Sequence, residues 1–247
     1  MSAAERAGVL DVLNAVCRRR EAPLLVGADT AAELDALAGH SAVTAALSLV
    51  PPFVRPGEDG VVAHFDALAA TSPVPLVVYH VPHRTGQELS AGAVRRLAAI
   101  DAVIGVKYAP SAVDADAVDL LTAPPPGFAV LAATDVLLSP MLALGAHGAI
   151  LASAHLATAQ FVTLADAWQA GRADLGRPLG HQLARLSAAL FAEPNPVVIK
   201  GVLHAQGRIP TPSVRLPLLP AAGMSVDAAV QIMNDIRGMA TSPRPVT

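Results

Sequence analysis

Short apolar stretches rich in valine, leucine and alanine recur along the chain, separated by segments whose apolar positions have helical spacing. Strands of a parallel sheet are nearly continuous apolar runs, because helices cover one face and a packed interior covers the other. The pattern therefore predicts strands over residues 23–27, 44–50, 75–81, 102–109, 128–133 and 148–153.

The segments between these strands predict helices, and a further helix is expected at the N-terminus. Strands that alternate with helices at this spacing pair in parallel through right-handed crossovers. After residue 153 the pattern becomes helical, with Gly171 and Gly207 as the expected helix stops. The predicted helices cover residues 31–38, 61–70, 91–100, 115–122, 137–144, 156–170, 175–191, 196–206 and 226–238.

The composition limits the class of protein. Of the 247 residues, 53% are hydrophobic and 15% are charged, which excludes a disordered chain. A net charge of −3 argues against a nucleic-acid or anionic-membrane partner held by a basic patch. The single cysteine, Cys17, cannot form an internal disulfide or a cysteine-based metal site, so we expect a cytoplasmic location.

One uncharged stretch, residues 136–165, is long enough to cross a bilayer. Pro140, Gly145 and Gly148 lie inside it, and turn-forming residues in its middle do not fit a membrane helix. We therefore predict a buried helix, a turn, a strand and a second helix in this stretch, and no membrane partner.

Lys107 carries the strongest indication of chemistry. It lies near the C-terminal end of the predicted strand 102–109, where burial favours the neutral amine that can attack a ketone. Only two of the 17 basic residues are lysines, Lys107 and Lys200, and an arginine cannot form an imine. The alternative is a structural lysine that extends to solvent or pairs with an acid, which is the role we expect for Lys200.

Tyr79 ends the predicted strand one repeat before Lys107, so the two residues are expected at the same edge of the sheet. A phenol beside an imine can move protons, although a tyrosine with its ring in the core would serve a structural role. Arg84 follows in a loop, where its guanidinium suits a carboxylate or simply faces water. Tyr108 is expected on the face opposite Lys107.

His80 and His83 flank the same turn, and we expect them to be structural or peripheral because no acidic partner stands at metal-ligand spacing. No nucleotide-binding glycine loop and no metal-ligand spacing occurs in the sequence, so we expect neither a metal nor a cofactor.

Several segments together resemble the dihydrodipicolinate synthase / N-acetylneuraminate lyase family. Residues 79–86 (Tyr-His-Val-Pro-His-Arg-Thr-Gly) are similar to its Tyr-Asn-Val-Pro-x-Arg-Thr-Gly segment, and 105–107 (Gly-Val-Lys) to its Gly-Ile-Lys motif. Residues 144–150 resemble its Leu-Gly-Ala-x-Gly-x-Ile strand entry. Residues 191–196 with Lys200, and residues 214–218, resemble its C-terminal helical signatures.

The resemblance implies a TIM (β/α)8-type barrel with a C-terminal helical extension. It implies lyase or aldolase chemistry on pyruvate or another 2-oxo acid, without metal or cofactor, in a homo-oligomer that is a dimer or tetramer. Carried over by residue, Lys107 forms the Schiff base, Tyr79 moves protons and Arg84 binds a carboxylate of the second substrate. Ile150 and Ala133, which stands where a glycine is common, would contact the substrate.

The sequence also departs from the family pattern elsewhere. The family's Gly-Thr-Thr-Gly-Glu loop does not occur in the chain, and Val54 stands where the family has a tyrosine that reaches a neighbouring subunit. We therefore expect a barrel lacking its first two strands over residues 1–155, a helical lobe over 156–240 and a flexible tail over 241–247. The alternative function is a catalytically impaired homologue that serves as a binding or regulatory subunit.

Overall fold

The strands alternate with helices in the order that the apolar pattern predicts. The structure is a computed structural model that describes residues 1–240. Its contacts divide the chain into two compact units, the first ending at Leu131 and the second beginning at Ala132. The strands are β1 Leu24–Gly27, β2 Val43–Leu49, β3 Leu76–His80, β4 Val103–Tyr108, β5 Ala129–Ala132 and β6 Gly148–Ala149.

Ten of the eleven α-helices in residues 1–240 occupy predicted segments, with ends that differ by a few residues, whereas the helix Pro82–Thr85 lies where the sequence predicted a loop. A short 3-10 turn, Asp135–Leu137, precedes the seventh helix. The helices are α1 Ala3–Arg20, α2 Ala31–Asp35, α3 Gly57–Ala69, α4 Pro82–Thr85, α5 Ala91–Ala98, α6 Ala115–Thr122, α7 Leu138–Ala143, α8 Ala154–Gln169, α9 Ala173–Leu190, α10 Val197–Ala205 and α11 Gly223–Ala240.

The strands follow one another in the sheet in chain order, β1-β2-β3-β4-β5-β6. The three pairs from β1 to β4 are parallel, which confirms the prediction from the alternating elements. Parallel pairing brings the C-terminal ends of β2, β3 and β4 to one edge, where Leu49 lies opposite Tyr79 and Tyr79 lies opposite Lys107.

Helix ends follow the local signals in the sequence. Ser2 and Glu5 form a capping box at the start of α1, in which each side chain accepts a hydrogen bond from the other's backbone N–H. Gly171 and Gly207, the predicted stops after α8 and α10, have φ angles of 69° and 67°. Glycine adopts this left-handed conformation without steric cost, so both helix ends are confirmed.

Strand β6 is shorter than predicted, because the strand expected over 148–153 ends at Ala149. The N–H of Ile150 donates to the carbonyl of Ala132 at 3.0 Å. The N–H of Ser153 donates instead to the carboxylate of Asp135, at 2.7 Å. A side chain thus replaces the strand partner, and α8 begins directly afterwards.

Each unit has its own apolar core. In the first unit the centres of β3 and β4, Val78 and Val106, are completely buried, as are Phe65 of α3 and Leu97 of α5. In the second unit α8, α10 and α11 carry buried apolar faces, and α9 packs against α8 and α11. The C-terminal helices are therefore held by apolar burial.

Within residues 1–240, no helix is both long enough and apolar enough to cross a membrane. The uncharged stretch 136–165 is divided among the 3-10 turn, α7, β6 and the start of α8. The predicted tail, 241–247, lies outside the described residues. The domain boundary at residue 155 and the loss of two strands from a barrel stay predictions.

The face of β3 and β4 opposite Tyr79 and Lys107 is fully buried. His80 and Tyr108 stack there with ring centroids 5.3 Å apart, so Tyr108 does lie on the face away from Lys107. Burial lowers the pKa of His80 to about 4, although Asp114 acts in the opposite direction. Burial also raises the pKa of Tyr108, with Asp114 adding to the effect. Both rings therefore stay neutral at neutral pH.

We predict that the stability of the protein falls as the pH drops from about 6.5 to about 4. The pKa of His80 in the folded state, about 4, is below its ordinary value of 6.5, so the unfolded chain takes up the proton first. The free energy of unfolding should decrease by about 3 kcal/mol over this range. Urea denaturation at a series of pH values measures the slope. His80→Asn should make the free energy of unfolding less dependent on pH. The matched change His83→Asn, at an exposed position, should leave this pH dependence as it is in the wild type.

Gly105 allows β4 and β5 to approach closely. A Cβ at this position would lie 2.7 Å from the carbonyl oxygen of Ala129, which is closer than real Cβ contacts. The glycine of the Gly-Val-Lys segment is therefore required by the spacing of two strand backbones.

We predict that Gly105→Ala lowers the free energy of unfolding by about 1–3 kcal/mol, because β5 must move to admit a methyl group. Gly8→Ala is the matched control, since a Cβ at Gly8 on α1 meets nothing within 4 Å. That change should raise stability by about 0.5–1 kcal/mol, because alanine favours a helix. Equal effects of the two changes in urea denaturation would contradict the packing argument.

Candidate active site

Lys107 and Tyr79 lie side by side on neighbouring strands. They are direct partners in the β3–β4 register, and each is the penultimate residue of its strand. The side-chain nitrogen Nζ of Lys107 lies 3.8 Å from the centroid of the Tyr79 ring. Both side chains are half-buried, unlike the fully buried neighbours His80 and Tyr108. The predicted pair thus meets at the C-terminal edge of the sheet.

The contact between Lys107 and Tyr79 has a defined geometry. The amine lies over the face of the ring, where the negative charge of the π-system attracts a cation. The aromatic ring also replaces water on one side of the amine, and both residues are partly exposed. The arrangement positions a nitrogen nucleophile beside a phenol.

Arg84 lies on α4, the short helical turn that follows β3. Pro82 supplies a fixed φ angle at the first position of the turn, and Gly86 ends it with φ of 72°. The N–H of Gly86 donates to the carbonyl of Pro82 at 2.7 Å. The guanidinium of Arg84 is exposed, five residues after Tyr79 along the chain.

The loop after β2 contains residues that sequence reasoning did not select. Phe53 and Arg55 have φ angles of 69° and 48°, a conformation that costs energy for residues other than glycine. The guanidinium of Arg55 lies against Gly86. A Cβ atom added to Gly86 would be 2.6 Å from the Nε atom of Arg55. The side chain of Val54 is 76% exposed.

Ala133 and Ile150 belong to the second unit. Ala133 follows β5 directly, and Ile150 follows β6. The N–H of Ile150 donates to the carbonyl of Ala132 at 3.0 Å. Asp135 is a buried acid in this unit that sequence reasoning missed. The signal that could have found it is its position directly before the uncharged stretch 136–165. Its hydrogen bond to Ser153 ties the turn after β5 to the start of α8.

Lys200 lies on α10, where its amine donates to the carbonyl of Ser213. This agrees with the structural role expected for it. Across residues 1–240, no group of three or more His, Cys, Asp or Glu side chains could hold a metal ion.

The match to known proteins covers nearly the whole described chain. The model of the dihydrodipicolinate synthetase family matches residues 1–236. The chain is 35% identical over 211 residues to the 4-hydroxy-tetrahydrodipicolinate synthase of Azoarcus sp. (strain BH72), an alignment covering 84% of this chain and 72% of that protein. It is 31% identical over 226 residues to the enzyme of the same name from Neisseria meningitidis serogroup B (strain ATCC BAA-335 / MC58), covering 89% and 76%.

Solved structures show the same fold. The chloride-inhibited dihydrodipicolinate synthase from Acinetobacter baumannii, complexed with pyruvate, matches with a TM-score of 0.87 and 28% identity, covering 96% of this chain and 82% of that one. These structures support the TIM-barrel class predicted from the resemblance. Together with the matched segments, they show that the chain belongs to the dihydrodipicolinate synthetase family.

Proposed function

We propose that the protein is a Schiff-base-forming lyase or aldolase that acts on pyruvate or another 2-oxo acid. The single observation that carries this proposal is the placement of the Lys107 amine 3.8 Å from the centroid of the Tyr79 ring. Family membership supports it, since two relatives bear the name 4-hydroxy-tetrahydrodipicolinate synthase and a related solved structure holds pyruvate.

The reaction begins when the neutral amine of Lys107 adds to the C2 carbonyl of the 2-oxo acid. Two protons reach the former carbonyl oxygen, which leaves as water, and a carbon–nitrogen double bond remains. Loss of a proton from C3 then gives an enamine, whose C3 atom forms a bond to the carbonyl carbon of an acceptor aldehyde while the aldehyde oxygen takes up a proton. Water then hydrolyses the imine, which releases the product and regenerates the amine of Lys107. The reverse sequence cleaves the same carbon–carbon bond.

Tyr79 transfers protons in this scheme. Its ring lies over the amine, so its hydroxyl reaches the carbinolamine directly or through one water. The other tyrosine, Tyr108, is buried on the opposite face with its pKa raised by burial, which leaves Tyr79 for the role. Both tyrosines of the sequence are thereby accounted for.

The remaining predicted residues bind substrate groups. The exposed guanidinium of Arg84 has two parallel N–H donors that match the carboxylate of the second substrate. Ala133 and the carbonyl of Ile150 contact the 2-oxo acid.

We propose that the protein is a homo-oligomer, a dimer or a tetramer, in the cytoplasm. Neither a metal nor a cofactor takes part in the proposed reaction. The adjacent apolar side chains of Phe53 and Val54, 94% and 76% exposed, would lose contact with water in such an association.

The second candidate function is a catalytically impaired binding or regulatory subunit. The observation that favours it is Val54, which has no hydroxyl at the position where the family has a tyrosine. A protein of this kind would bind a 2-oxo acid without forming the covalent adduct, so adduct formation separates the two candidates.

We predict that incubation with pyruvate followed by borohydride gives a stable adduct on Lys107, detected by peptide mass spectrometry. Borohydride reduces the imine to an amine, which fixes the three-carbon unit to the protein. Lys107→Met should abolish the adduct because it removes the nucleophile. The matched control is Lys200→Met at the only other lysine, which should leave the adduct in place. An unmodified wild-type chain with pyruvate and other 2-oxo acids would favour the second candidate.

We predict that Tyr79→Phe slows turnover by about 10²-fold, the usual scale for loss of an acid/base group. The ring and its contact with Lys107 are retained, so melting temperature should change little. The matched control Tyr108→Phe removes the other phenol hydroxyl and should leave the rate near that of the wild type. Steady-state kinetics of pyruvate consumption measures both, and an unaltered rate in Tyr79→Phe would exclude the proton-transfer role.

A further inference from the structure

Helix α1 carries a row of apolar side chains that the rest of the described chain leaves uncovered. Val9, Val12, Leu13 and Val16 are 48%, 63%, 43% and 38% exposed. Their spacing of three and four residues places them together on one side of the helix, and we call these four residues the α1 stripe. Single exposed apolar side chains are common on proteins, whereas contiguous ones mark a surface that binds a partner.

A different side of α1 attaches the helix to its own unit. Leu10 is buried, and Arg6 forms an ion pair with Glu33. The side-chain oxygen of Asn14 accepts a hydrogen bond from the N–H of Ala42 at 3.0 Å. None of these contacts involves the α1 stripe, so a substitution in the stripe should leave the fold of the single chain intact.

Residues of opposite charge stand at the two ends of the α1 stripe. Glu5 lies four residues before the first valine of the stripe, and Arg20 lies four residues after the last one. This spacing places both residues on the same side of the helix as the stripe. Glu5 belongs to the first turn of α1 and Arg20 to the last turn. This side of α1 is therefore acidic at one end, apolar in the middle and basic at the other end.

The α1 stripe is complementary to itself when two copies of α1 run antiparallel. We consider a two-fold axis that passes midway between positions 12 and 13. Val9 then faces Val16 of the second copy, and Val12 faces Leu13 of the second copy. Because the axis is two-fold, each contact occurs twice, and every member of the stripe meets an apolar partner.

The end charges favour the same arrangement. About the same axis, Glu5 faces Arg20 of the second copy, so each end of the interface carries one pair of opposite charges. A parallel arrangement would instead place Glu5 beside Glu5 and Arg20 beside Arg20, where like charges repel. Charge complementarity of this kind sets the relative orientation of two partners.

We propose that the protein forms a two-fold symmetric dimer in which α1 packs antiparallel against α1 of a second copy. Burial of the α1 stripe removes its apolar surface from water, which drives the association. A single pair of helices is a small interface, so we expect a dissociation constant in the micromolar range. The dimer goes beyond the proposed function, because it does not depend on the chemistry of Lys107.

Sedimentation velocity of the full chain over a concentration series measures the assembly. Val12→Glu places a carboxylate in the α1 stripe and should weaken dimerisation by about 100-fold or more, because the charge would be buried without a partner. The matched control is Val162→Glu, at a valine of α8 that is 54% exposed and lies outside the stripe. It should leave the dissociation constant unchanged, and circular dichroism should show that both variants are folded.

A second set of variants tests the end charges. Arg20→Glu should weaken dimerisation about tenfold, because two attractive pairs become repulsive. Arg18→Glu makes the same change in the same turn of α1 but on another side of the helix, so it should have little effect. Adding Glu5→Arg to Arg20→Glu restores opposite charges at both ends and should recover part of the affinity.

Disulfide trapping tests the antiparallel direction. In chains that carry Cys17→Ser, a mixture of Val9→Cys and Val16→Cys proteins should form disulfide-linked dimers of unlike chains under mild oxidation. Neither protein alone should do so, because equal positions would lie about 10 Å apart along the helix axes, beyond the reach of a disulfide. Linked dimers of Val9→Cys alone would instead indicate parallel helices and overturn the proposal.

Three further results would overturn the α1 dimer. They are a wild-type chain that stays monomeric well above the micromolar range, a Val12→Glu variant that dimerises as the wild type does, and an equal loss of dimer in Val162→Glu. Binding of the wild type, but not of Val12→Glu, to phosphatidylglycerol vesicles would also overturn it, since the stripe would then serve a membrane. The borohydride adduct on Lys107 tests the proposed function separately.

Discussion

The parallel pairing of β3 with β4 is the constraint on which the proposed site depends. The register places Tyr79 opposite Lys107, and the side chains of such partners extend from the same face of the sheet. A slip of one residue would exchange Lys107 with Tyr108 and bury a lysine where His80 now stacks on an aromatic ring. The buried face with His80 and Tyr108 therefore fixes the register that brings Lys107 into contact with Tyr79.

The two faces of β3 and β4 differ in burial and in the role that we propose for them. The helix-facing side holds Val78, Val106, His80 and Tyr108 with almost no exposure, and it supplies the apolar burial that stabilises the sheet. The opposite side is only half-buried at Tyr79 and Lys107. Stability and chemistry are thus separated by the alternation of side chains along the strand.

The turn at the end of β3 carries the residue that we propose binds the second substrate. The turn after β3 carries Arg84, and the loop after β2 brings Arg55 against Gly86 through residues with left-handed backbone. Such conformations have no clear sequence signature when the residue is not a glycine. This is why Arg84, inside a family segment, was predicted, whereas Arg55 was not.

Local patterns were sufficient to predict the alternating strands and helices and the helix stops at Gly171 and Gly207. They also predicted Lys107 and Tyr79 as partners. Apolar periodicity and the position of a residue at a strand end are local properties of the chain, so the sequence alone shows them. They did not predict the early end of β6, because the N–H of Ser153 bonds to the distant carboxylate of Asp135. They also could not show that the Lys107 amine lies over the Tyr79 ring. Such contacts join residues far apart in the sequence, so they exist only after the strands and loops have packed.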